Sequence, residues 1–377
     1  MLERRTFLAM TLGTLAAPAA VLGAGCARLR DMLVVNALGD LDDPNVRSGA
    51  AGQGQIAPQL TRRMLDDARA SGVTAINITI GYVFGDKEPF ELSVREVAQW
   101  DALLRMHAAD LLKVLTTADI RRARAERRIG LIYGFQNAAM MGSDATRVDI
   151  FADLGVRVIQ LTYNGANQLG GGFMAPADTA LTPFGREVIA RLNARRVIVD
   201  LAHSGQQTCL DAARASAQPI AITHTGCRAL VDLPRNKTDE ELRLVASRGG
   251  FVGIYFMPFL ALDRNVTGDD VTAHIEHALQ VCGEDHVGIG TDGSFTPVDD
   301  LPAYGAALAQ EIAERRAAGI SAPGERPGIF PFAVDLRGPG QLRGLADRLA
   351  RRGHSAARIE KIMGANFVRY AREVWGA

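Results

Sequence analysis

Val197-Ile198-Val199-Asp200-Leu201-Ala202 and Pro219-Ile220-Ala221-Ile222-Thr223 are two short, apolar, β-branched runs, each followed by a histidine, His203 and His224, and separated by a helical stretch, Gln206–Ala217. Near-continuous apolar runs suit parallel strands covered on both faces, so the unit reads as strand–helix–strand. The same alternation continues outward in both directions. Leu33–Leu38, Val73–Ile80, Ile129–Phe135 and Val156–Thr162 precede it, and Phe251–Phe256 and Val287–Thr291 follow. Helical patterns fill the gaps: Gln59–Ala70, Val94–Glu126, Asp144–Leu154, Phe184–Ala194, Asp239–Ser247 and Thr267–Cys282. Thr182-Pro183 reads as a cap followed by proline at the first helical position, and Thr238-Asp-Glu-Glu241 as a capping box. Eight strand candidates in βα alternation are the count for a closed (β/α)8 TIM-type barrel of the α/β class. The rival is an open doubly wound sheet, which usually carries a Gly-rich phosphate loop after its first strand. Here that place reads Gly39-Asp40-Leu41-Asp42.

Residues 31–377 are therefore read as one barrel domain. Residues 293–340, rich in Pro and Gly with a helical piece at Ala303–Ala318, form an elaborated loop after the eighth strand and a candidate lid. Residues 341–376 read as two closing helices. Apolar residues make up 47% of the 377-residue chain, enough for a sizeable core, and Lys+Arg and Asp+Glu balance at 42 each. That balance excludes a dedicated nucleic-acid or anionic-membrane surface, which needs an excess of cations. After the N-terminus nothing approaches the ~20 consecutive apolar residues of a membrane span.

Residues 1–30 differ. Arg4-Arg5-Thr6-Phe7-Leu8 precedes a small, apolar run to Gly25, the pattern of a twin-arginine-type export signal, which implies a periplasmic destination. The bland alternative is a chance Arg-Arg before an apolar helix. Cys26, in Leu22-Gly-Ala-Gly-Cys26, is a candidate lipid-attachment site. Cys209, Cys227 and Cys282 remain; an odd number without CxxC spacing reads as buried thiols, not a disulfide or zinc framework.

Reactive side chains stand at the ends of successive strands: Asp40, Gln136 and Asn137, Tyr163 and Asn164, His203, His224, and Asp292. In a (β/α)8 barrel these ends share the rim where chemistry is carried out. Adjacent strands lie about 4.8 Å apart, so imidazoles at neighbouring ends can reach one cation at roughly 2.0–2.1 Å each. Either histidine alone reads equally well as a hydrogen-bonded core ring; the pair favours a metal. His107 and His354 read as surface helix residues, His274 and His277 as structural, and His286 as the start of a strand at the opposite end. Asp292 ends Val287-Gly-Ile-Gly-Thr-Asp292, where a carboxylate can bind a metal or take a proton from water, or simply cap a turn. Arg235-Asn236 sits in the loop after the sixth strand. A guanidinium there can grip a carboxylate with two parallel hydrogen bonds, or lie solvated.

At these residues the chain resembles the membrane dipeptidase (renal dipeptidase) family of metallopeptidases, from about Val34 to Trp375. The stretches that carry the likeness are Leu161-Thr-Tyr-Asn-Gly-Ala-Asn167, Leu181-Thr-Pro-Phe-Gly185, Val199-Asp-Leu-Ala-His-Ser204, Ile222-Thr-His-Thr225, Pro234-Arg-Asn-Lys-Thr-Asp239, Val287-Gly-Ile-Gly-Thr-Asp292 and Gly364-Ala-Asn-Phe-Val-Arg369. The resemblance implies a barrel of metal-dependent hydrolase type, two zinc ions bridged by a glutamate, and hydrolysis of dipeptides, often with a D-residue tolerated on the C-terminal side. It implies that His203 and His224 hold one zinc, that Asp40 and Asp292 serve the other, and that Arg235, flanked by Asn236, grips the substrate carboxylate. Tyr163 falls where the family often has a substrate-contacting histidine. Two positions depart from the pattern. The family's His-x-Asp reads Leu38-Gly39-Asp40, and its bridging glutamate falls at Gln136. Leucine cannot ligate, and a neutral amide leaves two cations facing each other with less compensating charge. The expectation is one zinc at His203 and His224, a second weak or absent, and Asp292 as proton shuttle.

The function expected is an exported, metal-dependent hydrolase that cleaves dipeptides or related small amides with metal-activated water. Its partner is a small peptide, not nucleic acid, and a homodimer is left open. The rivals are a degenerate relative that binds a small peptide or serves as a maturation factor, and a hydrolase of another amide or lactone.

Overall fold

Every one of the eight apolar runs carries a strand in the computed structural model, which describes residues 31–46, 59–317, 319 and 321–376. The export-signal reading of residues 1–30 and the lipid-attachment reading of Cys26 lie outside the described residues. The strands are β1 (Val35–Asn36), β2 (Ala75–Thr79), β3 (Leu111–Lys113), β4 (Ile129–Phe135), β5 (Val156–Gln160), β6 (Ile198–Asp200), β7 (Ala221–Thr225), β8 (Phe251–Ile254) and β9 (Val287–Ile289). They pair in parallel in the order β1-β2-β4-β5-β6-β7-β8-β9. The ring is nearly closed. Ala37 N donates to Ile289 O at 3.0 Å and Asp292 N to Leu38 O at 3.0 Å, which ties the last strand to the first. This is the parallel (β/α)8 barrel that the alternation predicts.

One element was not legible. The stretch Val94–Glu126, which reads as a single helix, is helix Pro89–Met106, strand β3 and helix Thr117–Ala125. The break has a local cause. Asp119 accepts from Thr116 N at 2.9 Å, closing a capping box that starts a new helix. The apolar Leu111-Leu112 left between the helices pairs with β4 (Leu111↔Ile129), beside the ring path and not within it.

The expected caps are present: Thr182 Oγ1 accepts from Gly185 N at 2.9 Å, and Thr238 and Glu241 exchange both bonds of a capping box. Outward residues such as Val199, Leu201 and Ile222 pack under the helices, whereas Val35, Ala75, Val158, Ile198, Ala221 and Phe251 form a separate inward cluster. Phe367, Tyr370 and Trp375 of helix Asn366–Trp375 join that cluster and close the end of the barrel opposite the mouth. The closing region has three helical pieces, not two: Gln341–Arg351, Ala356–Glu360 and Asn366–Trp375, with a π-turn at Lys361–Ala365. Gly364 lies in that turn, where a Cβ would come 2.1 Å from Leu33 O, so only glycine lets the chain pass.

His354 does not sit on a helix. It lies between the closing helices, half-buried, with Nε2 3.1 Å from Glu276 Oε1. His274 is structural as read, accepting from Cys227 N at 2.9 Å through Nδ1. Cys209, Cys227 and Cys282 are free and buried. Among the described residues no helix is long and apolar enough to cross a membrane.

Candidate active site

β6 and β7 run side by side and end in His203 and His224, and the two rings converge with Nε2 to Nε2 at 2.9 Å. Both are buried. By strict alternation His224 shares the outward face with Ile222. The β7–β8 register shifts between Ile222 and Thr225, and an irregularity of that kind re-aims a side chain. The neighbouring strand β8 must come close to β7, and Gly253 allows it: a Cβ there would lie 2.0 Å from Thr223 O.

Donor and acceptor rules decide the state of His203. Arg235 Nη2 lies 3.0 Å from His203 Nε2, and arginine has no acceptor, so Nε2 carries the lone pair. Nδ1 therefore carries the proton and donates to Asn164 Oδ1 at 2.7 Å. His224 Nδ1 is 2.8 Å from Thr223 Oγ1. Burial, and then the Arg235 charge, hold both imidazoles well below their usual pKa, so both rings are neutral.

Arg235 is buried and anchored by its Nη1 donating to Ala202 O at 2.9 Å, with its guanidinium over the Phe173 and Tyr255 rings at 5.6 and 5.1 Å. Tyr163 stacks on His203 with centroids 4.4 Å apart. Asp292 has φ 56°, the left-handed region that aspartate tolerates better than most residues, and such outliers cluster at functional sites. Its Oδ2 is 3.9 Å from His224 Nε2. Burial pushes its carboxyl up to about 6. Burial and the neighbouring Asp42 and Asp292 charges push Asp40 up to about 8.

The other side of the mouth is poorer in ligands. Leu38 is buried, and Gln136 donates from Nε2 to Thr79 Oγ1 at 2.7 Å, leaving its amide oxygen as the side-chain acceptor. Asn236, read as a substrate contact, does not line the pocket. Its amide is taken up by Val231 O at 2.8 Å, Phe259 O at 2.9 Å and the Tyr255 hydroxyl, so it holds the loop that carries Arg235. Among the described residues no three His, Cys, Asp or Glu side chains close into one ligand set. The structure brings together His203, Arg235, Tyr163, Gln136 and Asp292 around a cavity of about 210 Å³, with His224 buried against His203. Helix Leu301–Ala317 and the segment after it bound that cavity with Tyr304, Leu308, Arg315 and Glu325. Arg315 and Glu325 pair at 3.0 Å.

The residues present fit a divalent cation. Two neutral ring nitrogens that cannot both donate face each other at 2.9 Å, and two nearby carboxyls, Asp40 and Asp292, are raised by burial. His203 and His224 would hold it. Sequence reasoning missed Asp200, Thr223 and Phe173. For Asp200 a signal existed, because it is an acid inside an otherwise apolar strand.

A family model described as membrane dipeptidase (peptidase family M19) matches residues 68–318. A solved amidohydrolase from Pseudomonas aeruginosa is 30% identical, with 94% of this chain and 99% of that one covered and a TM-score of 0.78. Dipeptidase tcpJ of Claviceps purpurea is 26% identical over 68% of this chain and 53% of its own length. A Rhodobacter sphaeroides metallopeptidase, solved with a phosphinate mimic of the dipeptide L-Ala-D-Ala, shares the fold at 20% identity, with 91% of this chain and 99% of that one covered and a TM-score of 0.69.

Proposed function

This chain belongs to the membrane dipeptidase family of peptidases, M19, and we propose that it is an exported zinc hydrolase that cleaves dipeptides at the His203–His224 centre. The observation that carries the reading is the convergence of two neutral imidazoles beside the buried guanidinium of Arg235, with His203 and Arg235 lining one bounded pocket. A metal and a carboxylate grip side by side suit a substrate whose scissile amide lies one residue from a free C-terminus.

Zinc, when bound, supplies Lewis acidity, polarising the carbonyl and lowering the pKa of water. The chain's own residues do the rest. Arg235 orients the substrate through its carboxylate, an interaction that planar bidentate geometry favours. Asp292, near 6, is basic enough at neutral pH to take a proton at Oδ2 and acidic enough to return it to the leaving amine. Tyr163 and Phe173 wall the His203 side, and the helix Leu301–Ala317 bounds the cavity against solvent. The neutral Gln136 and apolar Leu38 argue for one tightly held ion, with a second weak or absent. A D-residue on the C-terminal side, as in the mimic bound by the Rhodobacter sphaeroides protein, belongs among the substrates to try. Export follows from Arg4-Arg5 and the apolar run behind it, and a twin-arginine route suits cargo folded with its metal.

The test is metal analysis of the mature protein purified without added zinc, together with a panel of L,L- and L,D-dipeptides. About one zinc per chain and turnover that stops on chelation are expected. Metal-free protein with no turnover on any dipeptide, before or after zinc is added, would sink the reading.

A further inference from the structure

Asp200 is a buried acid two hydrogen bonds away from the His224 ring. Its Oδ1 accepts from Ala202 N at 3.1 Å and Thr223 N at 2.9 Å. Its Oδ2 lies 2.6 Å from Thr223 Oγ1, which in turn lies 2.8 Å from His224 Nδ1. The three groups form an unbroken chain from the barrel interior to the mouth, in which the register is set by the β6–β7 pairing Asp200↔Ala221.

A hydroxyl has a single proton to give. A carboxylate can only accept, so Thr223 donates to Asp200 and its oxygen must then accept from His224 Nδ1–H. That leaves Nε2 as a bare lone pair aimed at His203. We infer that Asp200 is a positioning residue which, through Thr223, selects the His224 tautomer able to ligate a metal. His203 reaches the same tautomer by a different route, through Asn164 and Arg235. The chain thus presents two matched lone pairs, one set by an amide and one by a carboxylate–hydroxyl relay. Outer partners of metal-binding histidines act in this way, and their loss typically costs 10–100-fold in metal affinity.

The inference rests on the metal reading of His203 and His224, but the NMR arm of its test does not. Asp200→Asn keeps the shape of the side chain and reverses the relay. The amide oxygen still accepts from Ala202 N and Thr223 N, while the amide NH2 now donates to Thr223 Oγ1. The hydroxyl must turn its proton toward His224 Nδ1, and the ring proton moves to Nε2, where it blocks ligation. Long-range 1H–15N NMR of metal-free, 15N-histidine-labelled protein reports the tautomer directly, with His224→Gln used to assign the signal. Nδ1–H in the wild type and Nε2–H in Asp200→Asn are expected, with zinc affinity lowered at least tenfold. Thr223→Ser and Thr223→Val provide a second pair should Asp200→Asn not fold: serine should keep the wild-type tautomer and zinc affinity, and valine should lower affinity at least tenfold. An Asp200→Asn protein with His224 still Nδ1–H overturns the inference, as does equal zinc affinity in the serine and valine variants when the wild type binds zinc. A wild type that binds no zinc but shows the tautomer shift would sink the metal reading and leave the relay standing.

Discussion

On the β6–β7 side of the mouth, His203 and His224 present facing nitrogens 2.9 Å apart, each with its other nitrogen engaged by a named partner and with Arg235 alongside. On the β1–β4 side, the corresponding positions hold a buried leucine, an amide already donating to Thr79, and Asp40, whose carboxyl is raised to about 8. The first half is pre-organised: its imidazoles are neutral, so they can stand close without a cation, and each has its Nδ1 held by a hydrogen-bond partner. The second half carries repelling acid groups and no imidazole, so it has little to hold an ion with. On the proposed metal reading, the difference teaches that binding strength would come less from net negative charge than from oriented lone pairs whose desolvation has already occurred on folding.

The strongest way to break this comparison is to remove one imidazole. His203→Ala or His224→Ala should lose the metal and lower dipeptide turnover by about 10³-fold, roughly 4 kcal/mol of transition-state stabilisation. Metal content and kcat/KM measured together check it, and a variant that keeps both would move the centre elsewhere. Arg235→Met should lower kcat/KM for dipeptides by about 10²-fold, close to 2.7 kcal/mol, while leaving C-terminally amidated substrates at the wild-type value. An equal loss on both substrates would mean that the guanidinium serves His203 and not a carboxylate.

A histidine outside both halves sharpens the contrast. His274 has both ring nitrogens engaged by backbone groups, and burial lowers it from 6.5 to about 4. Its folded pKa lies below its unfolded one, so the stability it contributes is present above pH 6.5 and is lost as pH falls toward 4. Between pH 7.5 and 5 the loss amounts to about 2 kcal/mol. Urea unfolding of metal-free wild type and His274→Gln at the two pH values should show a pH dependence smaller by that amount in the variant. The smallest expected effect tests the poorer half: Leu38→His combined with Gln136→Glu should tighten a second zinc by about tenfold or more and raise the zinc content toward two per chain. Unchanged stoichiometry and rate would show that these two positions do not account for the weakness of that side.

Much of the architecture was legible because its signals are local. The apolar runs that precede His203, His224 and Asp292 carry strands, and Thr182 and Thr238 cap helices as their spacing predicts. β3 was not legible, because Leu111-Leu112 continue an amphipathic pattern and only the Thr116–Asp119 cap marks the break. Asn236 was read as facing substrate because it follows Arg235. Neighbours in a loop point in different directions, and Val231, Phe259 and Tyr255 turn its amide inward.

By itself the sequence determined the barrel, the rim on which polar side chains collect, and which half of that rim carries no histidine, since these depend on residue type and on period. Only the tertiary structure decided which nitrogen of each imidazole faces the pocket, that Asp200 reaches His224 through Thr223, and that Arg235 lies against His203. Hydrogen-bond direction is set by partners brought from distant strands and loops, and a one-dimensional spacing rule carries no information about which of them holds the proton.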